Sequence, residues 1–104
     1  MFNSIRKPIV CKDGSIMSVQ ASWGHYSSPK SNIGPYHEVE VGFPSEHVEE
    51  LIPYMDGPSE DPTDEVYGYV PVNIVVGIIE KHGGQVGDQI PFLVWAFRKE
   101  AEVS

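Results

Sequence analysis

A chain of 104 residues, 40% of them apolar, is long enough for one hydrophobic core and too short for two, and its composition excludes extended disorder. No apolar run approaches the roughly 20 residues of a membrane helix, the N-terminus lacks a signal-peptide stretch, and the single Cys11 excludes an internal disulfide, which together predict a cytoplasmic protein. The formal net charge of −8 is unevenly spread: no Lys or Arg lies between Lys30 and Lys81, where Glu38, Glu40, Glu46, Glu49, Glu50, Asp56, Glu60, Asp61, Asp64 and Glu65 all fall, so that segment repels polyanions and nonspecific nucleic-acid binding is not expected.

Residues 8–21, "PIVCKDGSIMSVQA", predict a β-hairpin in which Asp13-Gly14 supplies the positive φ of a type I′ turn, with Met17, Val19 and Ala21 on the core side of its second strand. The stretch 20–36, "QASWGHYSSPKSNIGPY", follows as a loop dense in Ser, His, aromatic and Lys side chains. "YHEVEVGF" alternates, placing His37, Val39, Val41 and Phe43 on one face and Tyr36, Glu38 and Glu40 on the other. Ser45 then offers an N-cap to a helix carrying Val48, Leu51, Ile52 and Met55, which Pro53 keeps short or kinks.

Residues 56–64, "DGPSEDPTD", predict an exposed acidic loop, and "EVYGYVP" a strand with Tyr67 and Tyr69 on one face. Pro71 suits the first turn of a second helix, whose stripe of Val72, Val75, Val76 and Ile79 is widened by Ile74 and Ile78 and which ends at Gly83-Gly84. A last strand is predicted over 89–98, at "QIPFLVWAF". The whole reads as a single α+β domain over 1–104, its core within 8–98: a mostly antiparallel sheet of about five strands with two helices packed on one face.

Catalytic and metal spacings are missing from this pattern. His25, His37, His47 and His82 are scattered without H-x-H or H-E-x-x-H spacing, so no metal is expected, and no cofactor motif is present. Ser22, Ser27 or Ser28 beside His25 lack both a nucleophile elbow and an acid to orient the imidazole. "GGQVG" follows a helix instead of leading into one, which is the wrong order for a phosphate cradle. The expectation is therefore a protein that binds without catalysing. Its candidate ligand contacts are Ser22, His25, Tyr26, Ser27, Ser28, Lys30, Tyr67 and Tyr69, with Trp23 and Tyr36 extending an aromatic wall and Arg6 or Arg98 adding charge. Aromatic faces stack on bases and cations hold phosphates, so a nucleotide-like small molecule fits this set.

At "MSVQASWGHYSSPK", "HEVEVGFPS", "VYGYVPV" and "IIEKHGG" the chain resembles a group of small accessory proteins of tailed bacteriophages. The resemblance covers about residues 14–84. It implies action in the host cytoplasm as an antagonist of host defence, either by sequestering a nucleotide-like messenger in a site often shared between subunits of a homo-oligomer, or by covering a basic host protein with an acidic, nucleic-acid-like surface. A minor virion or assembly protein is a third implication of the same resemblance.

Overall fold

In the computed structural model, which describes residues 7–31, 35–57 and 60–86, five antiparallel strands form one sheet in the order β4-β3-β2-β1-β5. They are β1 (Ile9–Cys11), β2 (Ile16–Gln20), β3 (Glu38–Gly42), β4 (Val66–Pro71) and β5 (Gln85–Val86), with α1 (Val72–Lys81), the α-helix among the described residues, between the last two. The five-stranded antiparallel α+β arrangement is the one expected from the sequence. The predicted strand at 89–98, and with it Arg6 and Arg98, lies outside the described residues. Among the described residues no helix is long and apolar enough to cross a membrane.

One face of the sheet holds the core. Ile9, Cys11, Met17, Val19, Val39, Val41, Tyr67 and Val70 are buried there against Val72, Val75, Ile78 and Ile79 of α1 and Val48 and Leu51 of the preceding segment. The helix stripe is thus close to the predicted one, with Ile78 turned inward and Ile74 and Val76 half-buried at its margins. It stops as the two glycines dictate: Gly83 and Gly84 take φ of 94° and 97°, and their amides donate to Glu80 O (3.1 Å) and Ile79 O (2.9 Å), a Schellman closure.

Three local expectations are corrected. The hairpin turn has three residues, with Cys11 N donating to Ser15 O at 2.8 Å and positive φ at Gly14, so Asp13 has no need of the left-handed region. The first predicted helix forms as a six-residue 3-10 turn over Glu49–Tyr54, because Pro53 inside it cannot donate; Ser45 does not cap it, and its Oγ accepts from Ile16 N at 2.9 Å instead. Strand β3 starts only at Glu38, so alternation does not reach Tyr36 and His37: Tyr36 is buried and His37 exposed, and Phe43, with φ of 51°, also turns outward.

Candidate functional site

The decisive irregularity is in β4. Val39 pairs with Val70 and Val41 with Tyr67, so two steps along β3 match three along β4. Gly68 and Tyr69 together face Glu40, a bulge that breaks the alternation placing Tyr67 and Tyr69 on one face. Tyr67 points into the core, 1% exposed, with its hydroxyl donating to Pro62 O. Tyr69 takes φ of 54° and points out, 42% exposed. Burial and then the charges of Glu65 and Asp61 raise the phenol of Tyr67 above its ordinary value, which keeps that hydroxyl a neutral donor.

The loop after β2 folds onto this bulge. Tyr26 O accepts from Tyr69 N at 3.0 Å, and Tyr26 N donates to Glu40 Oε2 at 3.3 Å, which anchors the loop across β3. The close approach favours glycine at position 68, since a Cβ there would stand 3.1 Å from Tyr26 Cβ, tighter than an ordinary van der Waals contact. The Tyr26 and Tyr69 rings lie 6.0 Å apart at 31°, and Lys30 Nζ sits 5.2 Å from the Tyr69 centroid and 5.9 Å from that of Tyr26, within cation–π range. Lys30 Nζ also donates to His25 O at 2.5 Å, which holds the amine on the loop side of the rings.

Beyond the rings lies an open groove of about 350 Å³, lined by Tyr26, Gly68 and Tyr69 and, at the outer edge of β4, by Tyr54, Met55 and Asp56. That edge is fixed by a bridge between Met55 and Tyr67 and by Asp56 N donating to Val66 O at 3.0 Å. The size is at the lower end of small-ligand sites.

Of the candidate contacts, the fold brings Tyr26, Lys30 and Tyr69 together, and the rest serve the loop itself or, for Tyr67, the core. Ser27 is fully buried, its Oγ donating to Ser22 O at 3.0 Å and accepting from Ser22 N at 3.3 Å. Ser28 binds β3 through its backbone, donating to Glu38 O and accepting from His37 N, and precedes a cis bond to Pro29. Ser22 Oγ accepts from Gly24 N and lies 2.6 Å from His25 Nδ1, a local turn closure. Tyr67 and Tyr36 belong to the core, and Trp23, 68% exposed, stands apart at the loop surface. Gly68, Tyr54, Met55 and Asp56 were not among the predicted contacts; the one cue was the glycine between two tyrosines, a common mark of a bulge.

A second polar cluster joins the hairpin to the end of α1. His82 Nδ1 lies 2.5 Å from Asp13 Oδ2 and 3.0 Å from Ser15 Oγ, which donates to Glu46 Oε1 at 3.1 Å. Serine and aspartate share one ring nitrogen here, whereas a catalytic triad sets them on opposite nitrogens. The contacts therefore tie three segments together and build no nucleophile. Cys11 beneath them is buried, and burial followed by the Asp13 charge pushes its thiol up, away from thiolate chemistry. Among the described residues no group of three or more His, Cys, Asp or Glu stands close enough to hold a metal ion. No protein-family model, curated protein or solved structure matches the chain.

Proposed function

We propose that this chain is a nonenzymatic binding protein whose groove takes a nucleotide-like small molecule, with the base stacked on Tyr26 and Tyr69 and the phosphate drawn to Lys30. The observation that carries this reading is the convergence of those three side chains at a bulge where a non-glycine residue holds φ of 54°. Left-handed backbone in a bulky residue costs roughly 1–2 kcal/mol, and such strain concentrates where a side chain is held for a purpose. At 6.0 Å the rings already touch each other, so a ligand ring stacks on their open side and does not slip between them.

In the setting implied by the phage resemblance, such a site would sequester a nucleotide messenger in the host cytoplasm. Exposed Ile16, Trp23 and Phe43 are apolar surface on which a homo-oligomer could form. The test is a thermal-shift screen against mononucleotides and cyclic nucleotides, with light scattering on the same sample. A ligand at a hundredfold excess over its Kd adds about 2.7 kcal/mol, which moves Tm on the order of 10 °C for a domain of this size. The shift is expected to vanish in Tyr69→Ala and shrink in Lys30→Ala. A shift that survives both, or none with any nucleotide, sinks the proposal.

A second reading, an acidic surface that covers a basic host protein, is favoured by the interval from 31 to 80 without Lys or Arg and by exposed Glu46, His47-paired Glu49, Asp56 and Glu60. It requires a partner recovered from host lysate whose binding weakens steeply with salt.

A further inference from the structure

We infer that the groove, taken as the ligand site proposed above, reads guanine, with Asp56 accepting from the base's hydrogen-bonding edge. Asp56 lines the groove, is exposed, and has its backbone fixed by the bond to Val66 O. No hydrogen bond or ion pair among the described residues engages its carboxylate. An ionised carboxylate is an acceptor only, with two oxygens side by side. Guanine is the base whose edge offers two adjacent donors, N1–H and the N2 amine. Adenine sets an acceptor beside its amine, cytosine does the same, and uracil flanks its one N–H with two carbonyls.

The groove offers a group for each part of a nucleotide. Lys30, tied to His25 O, lies over the Tyr26 and Tyr69 rings, and Asp56 lines the groove from the segment that pairs with the outer edge of β4. In the proposed pose the base lies on the rings, its phosphate reaches Lys30 and its hydrogen-bonding edge meets Asp56. Charge limits the phosphate count. Asp56 is the acidic residue of the lining, Glu40 lies against the Tyr26 amide, and Lys30 is the cation over the rings. Polyphosphates are repelled by such a field, so a monophosphate or a cyclic nucleotide fits better than a triphosphate.

The test is calorimetric titration of the full chain with GMP, IMP, AMP and GTP, repeated on Asp56→Asn and Tyr69→Leu. GMP is expected to bind about tenfold or more tighter than IMP, which lacks the N2 amine, and than AMP, whose N1 faces the carboxylate with a lone pair. GTP is expected to bind more weakly than GMP. Asp56→Asn, at an exposed position, should keep the fold and Tm and erase the preference for GMP. GMP, IMP and AMP binding alike, with Asp56→Asn without effect and Tyr69→Leu abolishing all three, overturns the guanine assignment while leaving the groove as the site. No binding by any of the four overturns both.

Discussion

The two faces of β3 and β4 are held by different physics. On the inner face Val39, Val41, Tyr67 and Val70 are buried against α1 and the 3-10 turn, where each side chain is fixed by all its neighbours at once. On the outer face Tyr26, Tyr69 and Lys30 are exposed and meet through one backbone hydrogen bond, one ring contact and a cation over two rings. The bulge is what separates them. By spending an extra residue between Tyr67 and Val70, β4 returns to the inward register at Val70 and leaves Tyr69 free to serve the groove. The residue held by the core and the residue proposed to bind are thereby two positions apart on one strand.

The sharpest way to break that division is to truncate both tyrosines. Tyr67→Ala empties a fully buried site and should cost about 3–5 kcal/mol, a large share of a small domain's total; Tyr67→Phe, which loses only the bond to Pro62 O, should cost about 1 kcal/mol. Tyr69→Ala should stay within about 1 kcal/mol of the parent and still abolish ligand binding. Urea denaturation of the three variants decides it: equal losses in Tyr67→Ala and Tyr69→Ala would mean that the faces are not independent.

The elements legible in the sequence are those fixed by neighbours along the chain. The hairpin at Gly14, the inward Val39 and Val41, the α1 stripe and the stop at Gly83-Gly84 each follow from a short-range period or a turn residue. The groove is different because it depends on registers between distant segments. Alternation alone sends Tyr69 the same way as Tyr67, and only the pairing of β4 with β3 reveals the extra residue. Nothing near Tyr26 announces that it will land on Gly68, forty-two residues on, and Asp56 reads as a loop acid until Met55 is seen bridging to Tyr67. The serines of the loop were legible as polar and not as structural, since Ser27 bonds back to Ser22 only once the loop has closed.

The seam between the faces is the next place to press. Gly68→Ala puts a methyl 3.1 Å from Tyr26 Cβ, with Tyr26 Cδ2 at 3.4 Å, so the loop must lift or the strand must shift. Overpacking of this kind costs roughly 1–3 kcal/mol. If Tyr26 is the whole obstacle, the same substitution in a Tyr26→Gly background, which removes the Cβ as well as the ring, should cost almost nothing, and the double-mutant cycle returns the coupling. A persistent loss in that background would place the conflict in β4 itself. Lys30→Met removes the cation over the two rings and should change stability by only about 0.5–1 kcal/mol, the range of an exposed cation–π contact.

The smallest effect concerns a cluster that shares no residue with the groove, and it sharpens the comparison with a variant that alters acid stability and leaves binding at pH 7 alone. The Asp13 carboxyl is held below the usual aspartate range, first by the backbone amide of Ser15, then by the His82 ring. A carboxyl favoured as its ion in the fold stabilises at pH above its unfolded value of about 3.9. That contribution is lost as pH falls through the lower folded value. Asp13→Asn should therefore be somewhat less stable than the parent at pH 7, converge with it as the pH is lowered below about 4, and show a shallower acid limb. The limb should not flatten fully, because Glu50, held low by its own backbone amide, and Asp61, held low by Thr63, remain. Ligand affinity at pH 7 should be untouched, since the His82 cluster joins the hairpin to the end of α1 and shares no residue with the groove. Parallel acid limbs in parent and variant would remove Asp13 from the account and leave Glu50 and Asp61 to carry it.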